Sequence, residues 1–173
     1  MAGMTARRTT VAPLSLADLA ALTQTVADDV RAGLHEVRAD ADDRWHVRLR
    51  CDDRVDVWLI SWTEDQGTQL HDHGGSSGAF TVVSGELSET VWTPGAQVLT
   101  EAARRAGDSV VFGGRYVHDV RNVRQQTAVS VHAYSPPLAL MSYYDVDGGG
   151  LTRLASAWTD DPEAPPSGLR AAS

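Results

Sequence analysis

Apolar residues recur at three- and four-residue steps from Leu16 through Leu19, Leu22 and Val26 to Val30. That period predicts an amphipathic helix. Ser15 with Asp18 reads as a capping box in which an acid replaces the usual Glu, and Gly33 marks the far end. Such a helix is expected to pack on the rest of the fold and to carry no chemistry. From about residue 46 the period changes to two. The segments VDVWLISW (55–62), AFTVVSG (79–85), LSETVW (87–92), DSVVFGG (108–114) and TAVSVHAY (127–134) are rich in Val, Thr and aromatic residues. Each is bounded by Gly, Pro, Asp or Asn, so each predicts a strand. Short strands at regular spacing predict a mainly β sandwich or barrel.

The remaining stretches set the expected organisation. Residues 1–13 read as a flexible leader, 14–45 as the helical segment packed on the barrel, and 46–158 as the barrel itself. Residues 136–158 fit neither period clearly, and DGGG (147–150) reads as a loop. The final stretch, 159–173, is rich in Pro and Ala and is expected to be disordered. No repeat of fixed period is present.

Composition narrows the function classes. The 173 residues carry 15 Lys plus Arg against 23 Asp plus Glu, a formal charge of −8. That disfavours nucleic acid or an anionic membrane as the main partner, but not a small anionic substrate met by a local arginine. Cys51 is the only cysteine, which excludes an intrachain disulfide and points to a reducing, cytoplasmic setting. No apolar run approaches the roughly 20 residues of a membrane span. The first ten residues lack a hydrophobic signal core. The expected partners are small molecules, and the chain is expected to be a monomer or a weak homo-oligomer.

The candidate chemistry lies in the histidines. His71 and His73 stand two apart at the entry to a strand, so both rings point to one sheet face. His118 follows the strand DSVVFGG. A lone HxH pair in a β protein is usually ordinary surface or core histidine. A third histidine within a matching glycine frame makes a metal site the better reading. Gly78, Gly85, Gly107, Gly113, His118 and Asn122 keep spacings that resemble the paired motifs of the cupin superfamily. Gly113 stands there at a Pro position, and Arg115 at a Gly position. Where cupins usually place a Glu ligand, this chain has Gly78. The site would then be three neutral imidazoles with open positions on the far side of the metal. Imidazole suits Fe, Zn, Cu and Ni, so the ligand set alone does not choose among them. His35 does not fit this frame and reads as an ordinary helix-end histidine.

Beyond that frame the chain resembles the cysteine dioxygenase family of thiol dioxygenases over residues 45–145. The resemblance rests on His71-Asp72-His73, Ser76, Gly78 and the strand AFTVVSGELSE, on the intact SVHAYSPP of Ser130–Pro137, and on the His46-Val47-Arg48 element. It implies a cupin-type β-barrel or jelly roll and an Fe(II) cofactor held by His71, His73 and His118. It also implies a reaction in which both atoms of O2 enter the sulfur of L-cysteine to give the sulfinic acid. By the same resemblance Arg48 receives the substrate carboxylate and Tyr134 directs its hydroxyl at substrate and oxygen. His132 bonds Tyr134, and Ser130 orients His132. His46, where a Tyr is common, is a further substrate contact. Periodicity alone cannot choose Arg48 over Arg50, which lies two residues on.

Some relatives carry a Cys at the Gly78 position, cross-linked to the tyrosine. Gly78 forbids that bond, so Tyr134 is expected to be an unmodified phenol, as in the bacterial type. Three alternatives stay open. The first is a 3-mercaptopropionate dioxygenase, whose members typically have Gln at the Arg48 position. The second is a cupin that binds metal without oxygenase activity. The third is a Zn or Ni hydrolase or isomerase on the same fold. The resemblance further implies a cis bond before Pro136, in the turn that follows the strand carrying His132 and Tyr134.

Overall fold

In the computed structural model, residues 11–158 are described. The expected leader falls largely, and the expected tail wholly, outside that range. Within the leader's described part, the Ala12 carbonyl accepts from Arg54 Nε at 3.1 Å.

The described residues form one helix and eleven strands. Helix α1 (Leu16–Arg31) begins at a complete capping box, with the Ser15 hydroxyl accepting from the Asp18 amide and the Asp18 carboxylate accepting from the Ser15 amide. Its buried stripe is Leu19, Thr23, Ala27 and Val30, whereas Leu16 is exposed. The stripe is rotated from the purely apolar expectation because Thr23 bonds Thr81 Oγ1 at 2.9 Å. A satisfied hydroxyl can be buried where a sequence pattern counts it as polar.

The strands form two sheets. The first has the order β1 (His46–Cys51), β2 (Asp56–Trp62), β9 (Ala128–Ser135), β4 (Ser77–Ser84) and β7 (Ser109–Phe112). The second runs β11 (Gly150–Trp158), β10 (Leu140–Asp147), β3 (His71–Asp72), β8 (His118–Arg121), β5 (Glu86–Thr93) and β6 (Val98–Arg105). All named pairings are antiparallel. Gly85, at φ +75°, turns β4 of one sheet directly into β5 of the other.

Strands β2, β4 and β9 are buried on both faces, which explains their near-continuous apolar runs. Val57, Leu59, Ala79, Val131 and Ala133 point outward beneath α1. Trp58, Ile60, Trp62, Phe80 and Tyr134 point into the space between the sheets, where Leu87, Met141 and Tyr143 meet them from the other side. The first sheet is thus clad by the helix, and the second closes the barrel.

The stretch 136–158, ambiguous in period, is the β10–β11 hairpin. The DGGG segment is its turn rather than a free loop: Asp147 pairs with Gly150 across Gly148 and Gly149, both at positive φ. Strand β11 is an edge strand, solvated along much of its length, so it shows no clean alternation.

Candidate metal centre

His71 and His118 are direct partners across the β3–β8 pairing. His73 follows β3, and its ring returns to the same side. The three rings are essentially buried, and one ligand nitrogen from each falls within a cluster no wider than 4.8 Å. The bonding of the remaining nitrogens fixes which lone pairs are presented. His71 Nδ1 lies 2.7 Å from the Gln69 carbonyl oxygen, which can only accept. Nδ1 therefore holds the proton of the neutral ring, and Nε2 is bare. His71 Nε2 stands 3.2 Å from His73 Nε2.

His118 Nδ1 lies 2.9 Å from a Glu89 oxygen, and its buried Nε2 has no hydrogen-bond partner among the described residues. A buried polar atom without a partner is costly unless something absent from the protein atoms satisfies it. Burial, and then the neighbouring imidazoles, holds the His71 and His73 pKa values well below the usual histidine range. Uncharged imidazoles with converging lone pairs fit a first-row transition metal.

Among the described residues no carboxylate enters this cluster. Asp72 turns away and accepts from the Tyr144 hydroxyl at 2.6 Å, and Glu86 pairs with Arg105 and Arg124. Gly78 stands where an acid would approach, and Phe112 explains why nothing larger fits. A Cβ on Gly78 would lie 2.5 Å from Phe112 Cε2. That ring is stacked against His73 on one side and Tyr116 on the other.

The opposite wall comes from β9. Ser130, His132 and Tyr134 alternate onto its interior face, and all three are buried. Trp62 Nε1 donates to Ser130 Oγ at 2.9 Å, and Ser130 Oγ lies 2.8 Å from His132 Nε2. Tyr134 Oη is 3.4 Å from His132 Nδ1. Burial pushes the His132 pKa down to about 3, so the ring is neutral and carries one proton. The indole can only donate. Ser130 therefore accepts from Trp62 and has its own proton to give to His132 Nε2. Ser130, His132 and Tyr134 thus form one hydrogen-bonded line along the interior face of β9. Tyr134 also packs on His73, with ring centroids 4.8 Å apart. The bond between Ser135 and Pro136 is cis.

Arg48 and Arg50 lie on opposite faces of β1. Arg48 pairs with inward-facing Trp58, a bulge follows, and Arg50 then pairs with outward-facing Val57. The equal footing that periodicity gives the two arginines fails for this reason. The Arg48 guanidinium lies over the Trp58 ring at 4.2 Å, and His46 meets the same ring at 5.7 Å between centroids. Arg50 instead pairs with Asp52 in solvent.

Two buried acids escape sequence reasoning. Asp56 accepts from Trp58 Nε1 at 2.9 Å, and burial raises its pKa. Glu89, fully buried, joins His118 to Tyr116 and Arg104. The only signal for Glu89 was an acid on the apolar parity of a strand next to a ligand strand.

A two-sheet β-barrel enclosing an HxH pair and a third histidine defines a metal-binding cupin. The comparisons carry this further. The family described as Cysteine dioxygenase type I matches residues 15–147, and the chain belongs to that family of thiol dioxygenases. Cysteine dioxygenase type 1 of Danio rerio is 29% identical over 101 residues, a match spanning 53% of this chain and 50% of the relative. The match thus takes in about half of that relative's length. Among solved structures, a protein of Thermus thermophilus is 20% identical with a TM-score of 0.52, covering 58% of this chain and 90% of that one. An RmlC-like cupin from Desulfovibrio desulfuricans is 17% identical with a TM-score of 0.51, covering 60% and 92%. These two likenesses concern the fold alone. Among the described residues no helix is long and apolar enough to cross a membrane.

Proposed function

We propose that this protein is a cytoplasmic, Fe(II)-dependent cysteine dioxygenase that converts L-cysteine and O2 to cysteine sulfinic acid. The observation that carries the reading is the meeting of two constellations in one dry interior. Three imidazoles converge from the second sheet, and the Ser130–His132–Tyr134 chain faces them from the first. Iron held by His71, His73 and His118 would supply open positions at which a thiolate and O2 are brought together.

The chain's own groups do the rest. Arg48, inward-facing and braced on Trp58, receives the substrate carboxylate through its planar fork. Tyr134, bonded to His132 and packed on His73, supplies a phenol beside the reacting atoms. The aromatic wall of Phe80, Phe112 and Tyr143 keeps bulk water from the centre.

The test is oxygen uptake by anaerobically reconstituted protein offered cysteine, cysteamine or 3-mercaptopropionate in turn. Preference for cysteine with stoichiometric sulfinate supports the proposal. Preference for 3-mercaptopropionate would make it that thiol's dioxygenase. No uptake with any thiol would leave a metal-binding cupin without oxygenase activity.

A further inference from the structure

Among the described residues the centre has no carboxylate ligand, yet a carboxylate stands directly behind it. Glu89 is completely buried on β5, and one of its oxygens receives both His118 Nδ1–H at 2.9 Å and the Tyr116 hydroxyl at 3.0 Å. Its other oxygen receives Arg104 Nε and is paired with Arg104 Nη2, each at 2.7 Å. Arg104 comes from edge strand β6 and is about 29% exposed. Arginine, carboxylate and imidazole therefore form one line of three groups from solvent to the ligand nitrogen, His118 Nε2.

Each link has a defined electrical sense. A carboxylate at Nδ1 strengthens the donor power of Nε2 and attracts a cation there. A guanidinium on the far oxygen draws that charge away. It also neutralises a group that would otherwise be a lone buried anion. His71 has no such acid, since its Nδ1 proton goes to a backbone carbonyl. Glu89 thus acts on the centre through His118.

We propose that Glu89 and Arg104 are an opposed pair of positioning residues that set the centre's affinity for a divalent cation through His118. Glu89 raises the affinity, and Arg104 holds it down. The inference rests on the metal-site reading of the three histidines and not on which thiol is oxidised.

The experiment is a Co(II) titration of the metal-stripped full chain against a competing chelator. The visible spectrum of the bound Co(II) is recorded alongside, and circular dichroism checks the fold. Glu89→Gln keeps the shape and removes the charge, so Co(II) binding should weaken by about 10–100-fold. The Co(II) bands should shift as the donor weakens. Arg104→Met leaves Glu89 uncompensated, so binding should tighten by roughly threefold or more. Arg104→Lys should return the wild-type value.

If Glu89→Gln does not fold, the Arg104 variants decide alone, because their predicted sign depends on the intact carboxylate. Weakening by Arg104→Met, or unchanged Co(II) affinity in a folded Glu89→Gln, would overturn the proposal and leave the cluster as scaffolding. Failure of the wild-type chain to bind Co(II) would instead overturn the metal site itself.

Discussion

The guanidinium of Arg48 lies over the Trp58 indole, and that indole is in turn anchored by the buried Asp56 carboxylate. In the proposed role, a cation so held is aimed before substrate arrives, which lowers the entropic cost of binding. Arg48→Ala should raise KM for cysteine by about 100-fold or more, since truncating one partner of a buried charge pair typically costs several kcal/mol. KM for cysteamine, which has no carboxylate, should change little, and Arg50→Ala should affect neither thiol. Equal losses for both thiols in steady-state kinetics would make Arg48 structural. At this scale the sequence was legible wherever a residue type has few other uses. The HDH pair and the SVHAY alternation pointed to groups that the fold brings together. Glu89 and Asp56 were hidden because a buried acid and a solvated acid are the same letter. Only the pairing to His118 or to Trp58 separates them.

The elements divide into those that carry chemistry and one that covers them. Helix α1 contributes no group to the centre. It seals the outer faces of β4, β7 and β9, and β4 and β9 bear Gly78 and Tyr134 on their other faces. Leu19 is fully buried in that seam. Leu19→Ala should cost about 2–5 kcal/mol in urea unfolding while leaving metal affinity in the folded protein unchanged. A loss of affinity without loss of stability would show that the helix reaches the site. The helix and the apolar strands were legible from period alone. Strands β3 and β8 were not, because their interior positions hold His71 and His118 where a core strand would hold valine. Strand β6 was missed for a different reason. VLTEAARR is solvated along an edge and lacks the β-branched pattern. The β1 bulge leaves no mark in composition, yet it decides which arginine faces inward.

Across the whole molecule, the centre sits between two sheets that are joined by the fold but supply different parts. One sheet brings the three-histidine cluster, and the other brings the Ser130–His132–Tyr134 chain and Arg48. Burying imidazoles there has a cost that depends on pH. His71, His73 and His132 are held neutral, with pKa values lowered well below the unfolded value near 6.5. Below that pH the unfolded chain takes up protons that the folded protein refuses, so stability falls as pH falls. Each ring contributes about 1.4 kcal/mol per pH unit, continuing for His132 down to about pH 3. Urea unfolding of the metal-free protein should therefore show a steep loss between pH 6.5 and pH 5. A flat profile would mean that the rings are protonated or solvated in the folded state.

The central claim is that this interior delivers both atoms of one O2 to one sulfur. The most direct measurement is the mass of the product formed from cysteine under heavy-isotope oxygen in ordinary water. The account predicts a sulfinic acid with both oxygens labelled. A product carrying one label and one oxygen from water, or an unlabelled disulfide, would contradict it.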